Sequence, residues 1–449
     1  MSKERVAIIK VKEQQLEAAF QEVAEFRGPL QEIVPRGSRV LVKPNYTIVP
    51  TDRGITHPEL VEAIVRLVAQ ASPGEIVIAE SSGDYYTSYC YRFMGLQRIA
   101  ARYGSRLVDL NVEEGVKTPV PPELGREYVM VPKAVAESDV VISVPIFKLW
   151  GDSPMSLSLK NFFGLYGARY YGHNKDSAEM VKQHPFFGLP GEVGSERGIH
   201  SPSVAQSVCA MNLAVKTHLA IIDALEGGDG AGNWIRLDTL IAGHNPVATD
   251  TVGLAMGGYR ADEHAITQLC AEHGLGPCRL DEINVVGERI EDVSFELTRL
   301  RGNVLEMPLR YCLNLLSTGE LRQVHHALVL YGFLPQSATP PSGRAPLLET
   351  LAGVIGSEGY YETALARCDE HALVLLQLIV DQGGTSGDLV AIRDALSAHY
   401  QGNESLHYAP AARTLARLGL AYAVEGLARP YYGLPDGLVS AYKRLPERT

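Results

Sequence analysis

The sequence predicts an α/β fold, in which a doubly wound, largely parallel sheet is followed by a mostly helical, winged-helix-like C-terminal domain. Three observations support this prediction. Over residues 1–290, short apolar segments alternate with helical ones, as in a series of βαβ units. The segment VVISVP (140–145) is apolar at almost every position, which is typical of a strand buried on both faces of a parallel sheet. After about residue 305 the pattern is helical, with few candidate strands.

The individual elements follow from these patterns in chain order. RVAIIKV (5–11) is a candidate first strand, and SRVLVKPNY (38–46) repeats its pattern and stops at Lys43-Pro44-Asn45. Thr56 can cap the helix that follows. The further predicted strands are 75–80, 106–110, 218–222, a strand near Leu240 and 283–287, and the predicted helices are 13–26, 57–70, 91–103, 202–215, 246–257 and 262–273.

Changes of pattern divide the chain into an α/β domain (1–305), a connecting helix and linker (306–345) and a winged-helix-like helical domain (346–449). The segment QSATPPSGRAP (336–346) has the composition of a linker or surface loop. In the tail, the recognition-type helix is predicted at Ala411–Leu418 and the wing between Tyr422 and Leu434.

The charge of the chain limits its partners. The formal net charge is −11, whereas nucleic acids and anionic membrane surfaces attract proteins with positive potential. Residues 310–449 carry 11 Lys and Arg against 13 Asp and Glu, so the tail is expected to bind a protein partner or to self-associate, not to bind DNA. The opening MSKERVAIIKVKEQQ lacks the apolar core of a secretory signal, which predicts a cytoplasmic protein without membrane contact.

The six cysteines are scattered and form no C-x-x-C motif. They are therefore expected to be reduced and mostly structural, and no ferredoxin-type cluster motif is built into the chain. The histidines are spread too widely for a zinc signature. No G-x-S-x-G, H-E-x-x-H or Walker motif occurs, so the sequence does not fix a reaction type.

Polar residues gather where four predicted strands end. The clusters are Lys43/Asn45, Glu80/Ser81/Ser82/Asp84, Lys148/Lys160/Asn161 and Asp223/Glu226/Asp229. In a parallel sheet these ends share one edge, which is where open α/β sheets bind ligands. The candidate catalytic residues are Lys148, Lys160, Asp223 and Glu226; the candidate ligand-binding residues are Lys43, Asn45, Ser81, Ser82, Gly83, Asn161, His173, Lys175, His200 and Gly227.

These residue types suit a small anionic ligand that carries a carboxylate or a phosphate. Lysine ammonium groups neutralise such an anion, asparagine amides orient it, and the backbone amides of Ser81-Ser82-Gly83 can receive it. The alternative for Lys148 and Lys160 is that they are solvated lysines flanking a helix. Residues 165–200 show no period and are predicted to form a lid or site loop.

Asp223 and Glu226 have two further interpretations. They can hold a divalent metal through their oxygens, or one of them can act as a general base. The alternative is a turn after Ile222, in which the glycines from Gly227 to Gly232 adopt positive φ.

Several ordered motifs together resemble the family catalogued as domain of unknown function 362, over about residues 35–290. They are Lys43-Pro44-Asn45, Thr56-His57-Pro58-Glu59, the strand Asp139 to Pro145 followed by Lys148, Ser158-Leu-Lys160-Asn161-Phe-Phe-Gly164, Asp223-Ala with Glu226-Gly227, and Asn245-Pro-Val-Ala-Thr-Asp250. The resemblance implies no established activity. Many relatives also carry a ferredoxin-like cysteine block, which is missing from this sequence, and a winged-helix-like tail stands in its place.

Two hypotheses from different classes remain open on the sequence. The first is an enzyme that acts on a small anionic metabolite at the strand ends, with or without a divalent metal. The second is a ligand-sensing or scaffold protein whose tail engages a partner. An iron–sulfur or metal-linked redox protein is a third possibility, which the scattered cysteines disfavour.

Overall fold

The structure is a computed structural model of the 449-residue chain. It describes residues 3–11, 16, 18–19, 30–47, 54–83, 87–150, 153–171, 199, 202–230, 234–298, 306–382, 389–400, 404–424 and 431–445. The chain divides into two compact units: Met1–Gly230 with Asp238–Ile290, and Ala231–Leu237 with Glu291–Thr449.

The strands of the first unit are β1 Glu4–Lys10, β2 Arg39–Lys43, β3 Glu75–Glu80, β4 Arg106–Asp109, β5 Gly115–Pro119, β6 Tyr128–Pro132, β7 Val140–Ser143, β8 Ile146–Trp150, β9 Ser153–Ser156, β10 Leu219–Gly228, β11 Trp234–Gly243 and β12 Ile283–Gly287. Among the described residues, ten of these strands form one mixed sheet in the order β12-β1-β11-β10-β7-β2-β3-β4, with β8 paired to β10 and β9, and β5 and β6 form a separate hairpin. The pairs β12/β1, β8/β10, β10/β7, β7/β2, β2/β3 and β3/β4 are parallel, whereas β1/β11 and β8/β9 are antiparallel.

Helices cover both faces of this sheet. The apolar residues of β2 alternate between two buried clusters: Val42 packs with Ile64 of helix α2, and Leu41 lies in the cluster that contains Met211 of helix α8. This two-sided burial explains why the central strands are apolar throughout, and it confirms the predicted α/β fold. The helices of this part are α1 Leu30–Ile33, α2 Pro58–Gln70, α3 Thr87–Phe93, α4 Leu96–Tyr103, α5 Lys133–Ala136, α6 Ser158–Asn161, α7 Ala168–Tyr171, α8 Val204–Ala214, α9 Pro246–Met256, α10 Ala265–Glu272 and α11 Ile290–Val293.

Strand β10 is longer than its sequence predicts. The prediction ends the strand at Ile222 and places a glycine-rich turn after it, but the strand continues to Gly228, so the turn interpretation is wrong for Gly227 and Gly228. The unpredicted strand β8 supplies the reason, because it pairs with β10 and places Lys148 opposite Gly228. Pairing to a neighbouring strand holds the backbone extended where the local sequence favours a turn.

Two helix predictions also need correction. The predicted helix 91–103 is interrupted at Gly95, whose φ of 70° lies in the left-handed region, so α3 and α4 are separate helices. Thr56 does not cap α2. The N-cap residue is His57, and the hydroxyl of Thr56 instead accepts from the amide of Asn45 at 2.7 Å and donates to the carbonyl of Val144 at 2.7 Å.

The second unit is mostly helical. In its described residues, β13 Glu306–Met307, β15 Tyr431–Pro435 and β14 Tyr422–Val424 form a sheet in that order, with β14 and β15 antiparallel. Its helices are α12 Leu309–Asn314, α13 Thr318–Leu330, α14 Arg344–Ile355, α15 Tyr360–Ala366, α16 Glu370–Gln382, α17 Leu389–His399, α18 Glu404–Arg417 and α19 Leu438–Lys443. The winged-helix assignment stays a prediction.

None of the described helices is both long enough and apolar enough to pass through a membrane. The six cysteines all lie in the described part of the chain and are free thiols, with Cys278 the partly exposed one.

Candidate functional site

The carboxyl ends of β2 and β3 meet in a buried ion pair. Lys43 is the last residue of β2 and Glu80 the last residue of β3, and the two strands are parallel neighbours. The ammonium Nζ of Lys43 donates to Oε1 of Glu80 at 2.6 Å, and each side chain is 1% exposed. Two opposite charges at this distance neutralise each other locally, so the observed partner of Lys43 is a protein carboxylate.

Glu80 also organises the two loops that leave these strands. Its Oε2 accepts from the backbone N–H of Tyr46 at 2.9 Å, and its Oε1 accepts from the N–H of Ser81 at 2.8 Å. One carboxylate therefore fixes the lysine and both loops. The sequence places Glu80 in a polar cluster but gives no sign of this role, because Lys43 and Tyr46 lie 37 and 34 residues away along the chain.

The loop 81–83 donates its amides within the protein. The N–H of Ser81 reaches Glu80, that of Ser82 reaches the hydroxyl of Thr87 at 3.2 Å, and that of Gly83 reaches the carbonyl of Thr47 at 3.3 Å. A ligand anion would have to displace one of these bonds to use the loop. The predicted anion contacts of this loop stay a prediction.

Asn161 joins this edge from helix α6. Its Nδ2 donates to the carbonyl of Lys43 at 3.0 Å and to the hydroxyl of Ser143, the last residue of β7, at 3.1 Å. Its Oδ1 faces Nζ of Lys43 at 3.5 Å and Nδ2 of Asn45 at 3.4 Å. The structure thus brings together Lys43, Asn45 and Asn161, although Lys43 and Asn161 are 118 residues apart in the sequence.

Asp250 positions this helix. The first two backbone amides of α6, from Ser158 and Leu159, donate to the two carboxylate oxygens of Asp250 at 2.8 and 2.9 Å. Burial raises the pKa of Asp250 to about 7, against the opposing effect of the two amides. The motif Asn245 to Asp250 is thereby explained as an anchor, since Asp250 caps the helix that carries Asn161.

Gly164 packs directly against the buried ion pair. A Cβ at this position would lie 2.9 Å from both Nζ of Lys43 and Oε1 of Glu80. The Gly164→Ala variant is expected to lose about 1–3 kcal/mol of unfolding free energy, because the pair has no room to move. Urea denaturation checks this prediction.

Gly353→Ala is the matched control for that variant. Gly353 lies in helix α14, and a Cβ there would meet nothing within 4 Å. Alanine favours a helix more than glycine by about 1 kcal/mol, so this variant should be as stable as the parent or more stable. An equal loss of unfolding free energy in the two variants would show that the close approach at Gly164 does not affect stability.

A second acid–base pair lies at the start of α2. Oδ2 of Asp223, in strand β10, accepts from the backbone N–H of His57 at 2.8 Å and lies 3.5 Å from its ring Nδ1. Burial opposes a charge on His57, but the carboxylates of Asp223, Glu226 and Glu59 outweigh it and raise the pKa of His57 to about 9. The imidazole is therefore protonated at neutral pH. Its side chain is 19% exposed, whereas that of Asp223 is fully buried.

The remaining predicted residues of β8 and β10 are buried beside this pair. Lys148 is 3% exposed, and its Nζ donates to the carbonyl of Gly54 at 2.7 Å. Lys148 in β8 lies opposite Gly228, the last residue of β10. Glu226 and Asp229 stand on either side of Gly228 in the sequence and are 4% and 0% exposed. Buried charges at such a density are unusual outside functional sites.

Lys160 lies near His264. Burial and the positive charge of Lys160 lower the pKa of His264 to about 4. His264 precedes helix α10, and its Nδ1 lies 2.8 Å from the hydroxyl of Thr267. Lys160 thus lies within electrostatic reach of His264, whereas its sequence neighbour Asn161 faces Lys43.

Some predicted residues cannot be placed. His173, Lys175 and His200, which the sequence assigns to ligand binding, and Asp84 and Asp152 lie outside the described residues, as does most of the predicted lid. Of the segment 165–200, residues 165–171 and Ile199 are described, and Ala168–Tyr171 form helix α7. Within the described residues, no group of three or more His, Cys, Asp or Glu side chains is arranged to hold a metal ion. The metal role of Asp223 and Glu226 stays a prediction.

Two buried polar atoms in the loop that leaves β2 have no hydrogen-bond partner among the described residues. They are Oδ1 of Asn45 and the hydroxyl of Tyr46. Tyr46 is fully buried, and burial together with the carboxylates of Asp223 and Glu80 raises its pKa well above the usual value. Tyr46 therefore lies within electrostatic reach of both acid–base pairs. Sequence analysis missed Tyr46 and His57 as site residues, although both stand in or next to the motifs around Asn45 and Thr56.

Comparison with known proteins gives a match to a family model and matches to solved structures. No curated protein matches the chain. A solved structure of the lactate racemase apoprotein from Thermoanaerobacterium thermosaccharolyticum is 15% identical with a TM-score of 0.31, over 54% of this chain and 54% of that chain. This chain thus spans about half the length of that structure. Residues 40–255 match the family model described as Domain of unknown function (DUF362), which confirms the resemblance carried by the motifs between Lys43 and Asp250. Over residues 40–255 the chain is similar to the DUF362 family.

Proposed function

We propose that the protein is an enzyme that acts on a small anionic metabolite, carrying a carboxylate or a phosphate, at the edge formed by the ends of β2, β3, β7 and β10. The observation that supports this most is the presence of two buried polar atoms without partners, Oδ1 of Asn45 and the hydroxyl of Tyr46, beside two acid–base pairs. Buried polar atoms in folded proteins are almost always satisfied, so a group of exceptions indicates a place where a ligand completes the hydrogen bonding.

In this proposal His57 and Asp223 transfer the proton. His57 is protonated at neutral pH because Asp223 holds the charge, so the imidazolium can contact an anion and donate a proton to it. The same carboxylate oxygen of Asp223 accepts the backbone N–H of His57 and lies 3.5 Å from its ring Nδ1, so it holds both the backbone and the ring. Lys148 and Glu226, buried on the adjacent strands, are further candidates for charge neutralisation and proton transfer.

Lys43 is assigned a positioning role in place of a direct anion contact. Its ammonium is neutralised by Glu80, and Glu80 in turn holds the loops that carry Tyr46 and Ser81. Asn45 then orients the ligand through its amide, and Asn161 holds that amide in place. In an alternative form of this proposal, Asp223 and Glu226 bind a divalent metal.

A thermal-shift screen of small carboxylates and phosphate esters tests the proposal. We expect at least one such anion to raise the melting temperature of the wild-type chain, because a ligand that binds the native state stabilises it. The His57→Gln variant should melt at a lower temperature, because the buried carboxylate of Asp223 loses its cation, and it should show no further shift when the anion is added. His273→Gln, at the end of α10, is the control and should keep the shift. If His57→Gln responds like the wild type, the site lies elsewhere.

A second candidate function is a ligand-sensing or scaffold protein whose tail binds a partner. The observation that favours it is the order of α18 followed by the antiparallel strands β14 and β15, which is the order of a recognition-type helix and a wing. Residues 310–449 carry fewer basic than acidic side chains, 11 against 13, which favours a protein partner or a second copy of the chain over DNA. Sedimentation across a range of protein concentrations tests self-association, and a monomer mass throughout would exclude that form of the proposal.

A further inference from the structure

We infer that the ligand of this site carries a hydrogen-bond donor, a hydroxyl or an ammonium group, in addition to its carboxylate or phosphate, and that this donor reaches Oδ1 of Asn45. The inference rests on the proposed function and adds a requirement on the chemistry of the ligand.

The orientation of the two asparagine amides follows from the hydrogen bonds around them. The carbonyl of Lys43 is only an acceptor, so the group of Asn161 that lies 3.0 Å from it must be its NH₂. The other polar atom of that amide is then Oδ1 of Asn161, and its position 3.5 Å from the ammonium of Lys43 agrees with this assignment. An oxygen in that position can receive only a donor from Asn45, so Asn45 turns its NH₂ toward Asn161.

Oδ1 of Asn45 is consequently an acceptor that receives no hydrogen bond from the described residues. Solvent does not reach it, and the residue as a whole is 7% exposed. A buried amide oxygen without a donor costs about 1–3 kcal/mol, so a ligand that supplies a donor recovers this free energy on binding.

A simple oxyanion does not meet this requirement. Fully ionised carboxylate and phosphate groups offer only acceptor oxygens, and an oxygen placed against Oδ1 of Asn45 would be repelled. The charge of such a ligand is assigned instead to the side chain of His57, which is 19% exposed at the start of α2. The site thus combines a basic side chain with a neutral acceptor, which suits a hydroxylated or aminated anion.

Isothermal titration with matched ligands tests this inference on the full-length chain. The probes are glycerol 3-phosphate against propyl phosphate and malate against succinate, since the members of each pair differ in hydroxyl groups. In the wild type, the hydroxylated member should bind about tenfold to a hundredfold more tightly, which corresponds to one satisfied buried acceptor. In Asn45→Leu, which removes the acceptor at similar volume, the two members should bind equally.

Two further variants keep the test decisive. Asn45→Asp retains an acceptor oxygen and adds a negative charge, so it should bind both members more weakly and still prefer the hydroxylated one, even if Asn45→Leu does not fold. Asn212→Leu is the control, because Asn212 is also a buried asparagine with an unpartnered Oδ1, in helix α8, where its Nδ2 donates to the carbonyls of Leu159 and Val208. It should keep the preference.

The outcomes separate the two proposals. Equal binding of both members by the wild type overturns the donor requirement and leaves the anion site standing. A preference that survives in Asn45→Leu also overturns it, since the hydroxyl then contacts another group. Failure of all four probes to bind overturns the proposed anion site and the inference together.

Discussion

Replacing Lys43 by methionine is expected to lower the free energy of unfolding by about 3–5 kcal/mol, the largest effect of any single substitution at this site. Methionine fills a similar volume but leaves the carboxylate of Glu80, 1% exposed, without its cation. The amides of Tyr46 and Ser81 remain as donors, but they carry no full charge. Urea denaturation with a fitted m-value measures the loss.

The double variant Lys43→Met/Glu80→Gln should recover part of that loss. A glutamine keeps an acceptor oxygen for one of the two loop amides and carries no charge, so no buried charge is left uncompensated. Arg102→Ala is the control, since Arg102 pairs with Glu62 at 2.9 Å but is 67% exposed, and such pairs contribute about 1 kcal/mol or less. A loss in Lys43→Met no larger than that of Arg102→Ala would contradict the ion pair as an organising contact.

Replacing Asp223 by asparagine is expected to return the pKa of His57 from about 9 to its ordinary value near 6.5 or below. The carboxylate that stabilises the imidazolium is removed, whereas the burial that opposes the charge stays. An asparagine oxygen can still accept the backbone N–H of His57, so the start of α2 should keep its place. Titration of the ring protons by NMR measures the pKa in both proteins.

The same pair makes the stability of the protein depend on pH. The pKa of His57 is higher in the folded chain than in the unfolded one, so the pair contributes its full stabilisation, about 3 kcal/mol, below pH 6.5. That contribution is lost as the pH rises through about 9. Asp223→Asn should lack this dependence between pH 6.5 and 9. Identical pH profiles for wild type and variant would assign the stabilisation to other groups.

Much of the fold follows from the sequence because it depends on local pattern. Alternating strands and helices predict the α/β class, and the apolar run at 140–145 predicts a strand buried on both faces. The sequence could not give β8 and β9, because SPMS and IFKLW have no strong pattern and are held by their pairing with each other and with β10. The length of β10 is missed for the same reason.

What the sequence determined by itself is which polar residues end the parallel strands, and hence that Lys43, Asn45, Asn161 and Asp223 lie near one edge. What only the tertiary structure decided is the partner of each side chain: Glu80 for Lys43, His57 for Asp223, and a place beside His264 for Lys160. The physical reason is that strand ends are fixed by local periodicity, whereas a contact between charges depends on register, helix orientation and burial. Those are set by residues far apart in the chain, such as Asp250 anchoring α6.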